Sequence, residues 1–141
     1  MSTREWYDNK MASDPSYFKK KRDRNRDAMN NDPYKFASNK YSKQRSKAIM
    51  SRGLAWRLDR EKTVKLIAES RLCALSGRTL IHEIGNIDSP SIDRIDSRLG
   101  YTKSNIQIVS AAVNKAKMDM SDEDFVEMCR QVVEHHKFHP K

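Results

Sequence analysis

Apolar residues near the start of this chain are sparse and set in polar runs, and two short segments there carry the clearest local signals. Asp14-Pro-Ser-Tyr-Phe-Lys and Asp32-Pro-Tyr-Lys-Phe each pair an Asp with a following Pro and lead into a stretch free of Gly and Pro. An N-cap Asp accepts from otherwise unpaired backbone N–H groups, and a Pro at the first helical position has no N–H to waste. The pattern therefore predicts helices over 15–29 and 33–51. The first contains Lys19-Lys-Lys-Arg-Asp-Arg-Asn-Arg26, with only Tyr17, Phe18 and Met29 to form an apolar stripe. It is expected to be a solvated helix that orders fully on a partner.

Gly53 closes the second helix, Leu54-Ala-Trp-Arg-Leu alternates, and Asp59 can cap a third helix reaching about Ser70, with Val64, Leu66, Ile67 and Leu72 facing the core. Cys73-Ala-Leu-Ser-Gly-Arg-Thr-Leu-Ile suggests a hairpin ahead of a loop at 85–90. Ser91-Ile-Asp-Arg-Ile-Asp reads as a strand and Asn105-Ile-Gln-Ile-Val as another, with a compact loop between them. Ala111–Lys117 then forms a short helix. Ser121 and Asp124 start a last helix whose apolar face is Phe125, Met128, Cys129, Val132 and Val133. Strand, loop, strand and helix make a ββα unit braced by a C-terminal helix, so the fold class is α+β. The chain divides into a basic helical arm over 1–50 and a compact domain over 51–141.

Charge sharpens that division. Residues 1–60 hold 16 Lys/Arg against 7 Asp/Glu, whereas residues 61–141 hold 12 of each. The whole net charge of +9 thus sits in the front half, which is the footprint of a polyanion binder. No apolar run approaches the ~20 residues that cross a bilayer, and the N-terminus lacks an apolar segment of signal-peptide length. The expectation is a soluble, cytoplasmic protein with no membrane partner. Two cysteines, Cys73 and Cys129, with no CxxC provide neither a disulfide framework nor a zinc knuckle and read as buried small hydrophobes. His135, His136 and His139 trail off the last helix and read as a cationic helix end rather than a metal cluster.

Phosphodiester cleavage assisted by one metal needs a few oxygen ligands, open positions for phosphate and water, and a group that activates the nucleophile. In a ββα unit the first strand can present a carboxylate and the following helix a second oxygen, and Asp93 and Asn114 occupy those places.

Ser91-Ile-Asp-Arg-Ile-Asp-Ser, Gly100-Tyr-Thr, Asn105-Ile-Gln and Val113-Asn-Lys-Ala-Lys117 resemble, in that order, the HNH (ββα-metal) endonuclease motif of small phage proteins. Ser51-Arg-Gly-Leu-Ala-Trp-Arg-Leu and Cys73-Ala-Leu-Ser-Gly-Arg-Thr-Leu resemble the lead-in of the same proteins, so the likeness spans about residues 50–130. It implies metal-dependent cleavage of double-stranded DNA, with Asp93 and Asn114 as ligands of one Mg²⁺ or Mn²⁺. It implies that Asn105 ties the loop back by backbone hydrogen bonds, and that Lys117, on the face of Asn114, contacts a phosphate. Lys19, Lys20, Lys21, Arg22, Arg24, Arg26 and Arg98 are the other DNA-binding candidates, with Trp6, Tyr7, Tyr17 and Phe18 suited to stacking. Whether the protein acts alone or as a homodimer is open.

The sequence departs from the motif in two ways. Where the family usually has Asp-His, with the His as general base, this chain has Asp93-Arg94, and an arginine stays charged and cannot be an ordinary base. Arg94 can clamp the scissile phosphate while Tyr101 or His82 activates water, or the site is inactive and the fold only binds. The Asp-Arg variant with Gly-Tyr downstream is similar to that of some rare-cutting restriction enzymes of the superfamily, which favours activity. Ser76, Ser110 and Val113 stand where zinc cysteines usually occur, so no structural zinc is expected, and Ala111, Ala112 and Val113 are expected to pack in its place. Against the functional readings, Asp93 can be a plain strand-end carboxylate paired with Arg94 or Arg98, Asp96 a loop cap, and Tyr101 a packing residue. A ribosome- or RNA-associated basic protein remains a further alternative.

Overall fold

The computed structural model describes residues 1–139. The chain runs α1 (Thr3–Ser13), α2 (Tyr17–Asn30), α3 (Pro33–Ser46), α4 (Arg60–Glu69), β1 (Pro90–Arg94), β2 (Ile106–Ser110), α5 (Ala111–Lys117) and α6 (Asp122–Phe138). It is a mixed helical fold around one two-stranded antiparallel sheet, and none of the described helices is long and apolar enough to cross a membrane.

The two Asp-Pro pairs behave differently. Asp32 caps α3 as expected, its carboxylate accepting from the N–H of Tyr34 and Lys35, with Pro33 in the first turn. Asp14 instead folds a turn, its Oδ1 accepting from both the N–H and the hydroxyl of Ser16, so α2 starts only at Tyr17. The turn separates α2 from a helix the sequence pattern did not predict. α1 is stabilised by a reciprocal capping box between Ser2 and Glu5 rather than by an apolar face. Trp6, Tyr7, Tyr17 and Phe18 pack on one another across the two helices, Tyr7 and Phe18 stacking at 4.9 Å. These rings, expected to suit stacking on bases, pack on one another between α1 and α2, while Trp6 and Tyr7 keep part of their surface exposed.

α3 belongs to the core. Phe36, Ala37 and Tyr41 of this helix, and Ala48 beyond it, are buried with Ile67, Ala68, Cys73, Leu80, Ile92, Ile108 and Val109. The boundary expected at residue 50 therefore falls inside the packed unit, and among the described α-helices only α1 and α2 contribute no buried residue. After Ser46 the helix widens into a π turn over Lys47–Ser51, and Gly53, at φ +61°, ends it in a left-handed conformation suited to glycine.

α4 faces inward through Thr63, Ile67 and Ala68, with Val64 at the margin of the core. Leu66 and Leu72 are exposed, contrary to the sequence pattern. The predicted hairpin is a tight turn closed by one bridge, Leu72 with Thr79, and by the Cys73 N–H donating to Arg78 O. β1 and β2 pair with Asp93 opposite Gln107 and Ile92 opposite Ile108. Ser110, the last residue of β2, caps α5 through its hydroxyl, completing the strand, strand, helix order. Val113 packs at the core margin while Ala112 is exposed, so the expected Ala111–Val113 packing is only partial.

The bracing role expected of α6 holds only at its first turn. Phe125 is buried, but Met128, Cys129, Val132 and Val133 lie at the surface. The amphipathic spacing is present, yet no described element covers that face.

Candidate active site

Alternation along β1 puts Ser91 and Asp93 on one face of the strand and Ile92 on the other, with Ile92 in the core. Asp93 is 3% exposed. Its Oδ2 accepts from Lys117 Nζ at 2.9 Å and from its cross-strand partner Gln107 at 2.9 Å. Lys117 is fully buried, at 0% exposure. Its ammonium also donates to Arg94 O at 2.9 Å and lies 3.2 Å from Asp122 Oδ1, which in turn accepts from Gln107 at 3.0 Å. Lys117 was expected to contact a phosphate, and the structure corrects this. The face of α5 that carries it is turned onto β1, so its charge is spent on two carboxylates and a carbonyl. α6 is joined to the site through Asp122 in the same network.

The other oxygen of Asp93, Oδ1, accepts from no described protein group and is not sealed from solvent. Asn114 donates through Nδ2 to Ser91 Oγ at 2.7 Å, which orients its amide and leaves Oδ1 without a described partner. Both residues line a single cleft of about 540 Å³. Two uncommitted oxygens, one anionic and one neutral, on adjoining elements are the donor chemistry of a hard divalent cation that retains open positions. Among the described residues no group of three or more His, Cys, Asp or Glu forms a metal cluster, so any cation here would rest on this mixed pair.

Arg94 sits at the end of β1, nearly buried. Its Nη1 donates to Ser97 O at 2.6 Å and Leu99 O at 2.9 Å, and its guanidinium lies 5.4 Å over the Tyr101 ring. It braces the 97–99 loop and still lines the cleft. Tyr101 is buried against Trp56, with ring centroids 4.7 Å apart, and its backbone bonds Ala55 and Arg57. Its hydroxyl has no described partner and the residue lines the cleft, so packing and chemistry are both open to it.

Asn105 closes the loop with three hydrogen bonds. It accepts from Asp96 N–H at 2.8 Å and donates to Asp96 O and Gly100 O at 3.0 Å each. Asp96 caps Arg98 N–H and holds its guanidinium, and these bonds draw the Asp96 carboxyl down to about 2. Arg98 is thereby exposed but already paired. His82 does not line the cleft. Its Nε2 lies 2.8 Å from Ile67 O and its ring meets the edge of Phe36, so the expectation that it activates water is corrected. Lys19, Lys20, Lys21, Arg22, Arg24 and Arg26 all lie exposed on α2, outside the cleft.

No protein-family model matches this chain, and no curated protein matches it. Among solved structures, the rare-cutting HNH restriction endonuclease PacI is similar at 18% identity, over 64% of this chain and 72% of that chain, with a TM-score of 0.48.

The sequence pattern missed the opposite wall of the cleft. Lys40 and Gln44 of α3, Lys47 of the π turn and Arg52 just beyond it face the strand, and Lys115 contributes from α5. With Arg94 the cleft holds five cations against the carboxylates of Asp93 and Asp119. It missed Gln107 and Asp122 as well, because their role depends on a partner that looks like a surface lysine. Gln44 binds β1 as a neighbouring strand would, donating to Ile92 O at 3.0 Å and accepting from Ile92 N–H at 2.9 Å.

Proposed function

We propose that the chain is a metal-dependent endonuclease of HNH type that hydrolyses phosphodiester bonds in double-stranded DNA. The observation that carries this reading is the convergence of Asp93 and Asn114, each with an uncommitted oxygen, on one cleft whose remaining charge is predominantly positive. Such a cleft suits a reacting phosphate beside a cation and disfavours a cationic or apolar substrate.

Asp93 and Asn114 are the residues that would hold one Mg²⁺ or Mn²⁺. When bound, that ion supplies positive charge to the phosphoryl oxygens and makes water a better nucleophile at neutral pH. Lys117 and Gln107 fix the far oxygen of Asp93, so the carboxylate needs no reorganisation to present Oδ1. Arg94 is held by two loop carbonyls in a position to stabilise charge on a phosphate in the cleft. Tyr101 offers the hydroxyl best placed to exchange a proton with a nucleophile, His82 being elsewhere. Asn105 keeps Arg94 and Tyr101 at the ends of one closed loop.

The test is incubation of the purified chain with supercoiled plasmid and Mg²⁺ or Mn²⁺. Nicking or linearisation that Asp93→Ala and Asn114→Ala abolish is expected. Plasmid left intact by the unaltered protein at every metal concentration would overturn cleavage and leave a DNA-binding protein on a degenerate nuclease fold. One observation favours that second reading: Lys117 already neutralises Asp93 within the protein.

A further inference from the structure

We propose that the α3 wall of the cleft is a binding subsite for nucleic-acid backbone phosphate, with Lys40 and Lys47 as its principal cations and Arg52 at its margin. The inference rests on the DNA reading above for its ligand, but it concerns residues outside the candidate metal pair.

Lys40, Gln44, Lys47 and Ala48 follow the i, i+4, i+7, i+8 spacing of one helix face, and all four line the cleft. Gln44, between the two lysines, is clamped to both polar groups of Ile92, next to Asp93 on β1. The clamp fixes both lysines relative to the strand that carries the candidate ligand. From residue 33 to residue 52 the chain contains no Asp or Glu, and none of Lys40, Lys47 and Arg52 forms an ion pair with any described carboxylate. Ordinary surface cations need no explanation on this count, but Lys40 is half-buried, with its ammonium 5.9 Å over the Phe36 ring. Burial, helped by Lys43 nearby, draws its ammonium below the usual lysine range. A desolvated cation without a counter-ion is costly, and an incoming phosphate would supply the missing charge. The helix also widens into a π turn at Lys47, a distortion frequent at functional sites. A backbone strand held between α3 and the β1–α5 face would lie with one side against these cations and the other against Asp93 and Asn114.

The test is binding of a short DNA duplex to the full chain without divalent metal, followed by fluorescence anisotropy between 50 and 200 mM salt. Each lost phosphate contact lowers the log–log salt slope by about 0.9. Lys40→Gln with Lys47→Gln should therefore lower it by about 1.8, making affinity fall about twelvefold less across that range than for the unaltered chain. Lys47→Gln alone, at an exposed position, should lower the slope by about 0.9. Lys62→Gln with Lys65→Gln on α4, the same charge change away from the cleft, should leave it unaltered. Inorganic phosphate at matched ionic strength should compete weakly compared with an oligonucleotide. A wild-type slope in the Lys40/Lys47 variant, an equal fall in the α4 control, or full competition by free phosphate would each overturn the proposal. Because no cleavage is read, failure of the nuclease reading would appear separately, in the plasmid assay.

Discussion

Lys117 and Asp93 form an ion pair closed to solvent, with Nζ 2.9 Å from Oδ2 and neither side chain more than 4% exposed. The pair joins the end of α5 to β1 and, through Asp122, to the start of α6. It anchors one oxygen of the carboxylate and leaves the other without a described partner. Stability and the candidate chemistry therefore depend on the same few atoms.

Lys117→Met would leave Asp93 buried without its cation. Breaking a buried pair by removing one partner costs about 3–5 kcal/mol, and urea unfolding should show a loss of that order. A change below about 1 kcal/mol would mean that the pair is solvated in solution.

Asn105→Ala removes three hydrogen bonds that close the loop from Asp96 to Gly100. Leaving such groups unpaired costs about 1–3 kcal/mol. The Asp96 amide, which donates to Asn105, should lose protection from hydrogen exchange. Unchanged protection would show that the loop is held by Arg94 alone.

The Asp96–Arg98 contact should appear in a carboxyl titration followed by NMR. Hydrogen bonds from the Arg98 side chain and backbone lower the Asp96 value from about 3.8 to about 2. A depressed carboxyl contributes stability above its unfolded value, and that contribution is lost as pH falls through the folded one. The loop should thus hold at pH 5 and loosen toward pH 2. Arg98→Ala should move the midpoint back toward 3.8, and no movement would remove Arg98 as the cause.

Tyr101→Phe separates packing from chemistry, because the ring contacts with Trp56 and Arg94 survive while the hydroxyl is lost. A general acid or base contributes about 10²–10⁴-fold, so kcat on plasmid should fall by that factor with little change in thermal stability. Unchanged kcat would leave Tyr101 as a packing residue.

Local signals were legible in the sequence where they depend on neighbours along the chain. Asp32, Asp59 and Ser121 cap the helices that the sequence pattern assigns to them, and the apolar spacing on either side of the 97–104 loop gives the two strands. Asp14-Pro15 carries the same dipeptide but binds Ser16 instead, a choice made by one side-chain hydroxyl. What escaped the sequence depends on distant partners. Lys117 reads as a surface lysine until two carboxylates from other elements enclose it. Gln44 has no pattern that marks it as the neighbour of a strand 48 residues away. The apolar stripe on α6 is real as periodicity, but periodicity does not say whether anything packs on it. Asp93 and Asn114 stand out in the sequence as candidates because their order along the chain resembles a known motif. The cationic wall opposite them carries no motif, and only the folding of α3 onto β1 makes it visible.

One oxygen of Asp93 and one of Asn114 are proposed to meet on a single cation. Manganese binding to the full chain, followed by the loss of free-ion electron paramagnetic resonance signal, tests it most directly. One Mn²⁺ per chain is predicted, with binding strongly weakened in Asp93→Asn, which keeps an oxygen for the buried Lys117 ammonium, and weakened in Asn114→Ala, both variants being checked as folded by circular dichroism. Wild-type affinity in both variants, or no manganese bound by the unaltered chain, would contradict it.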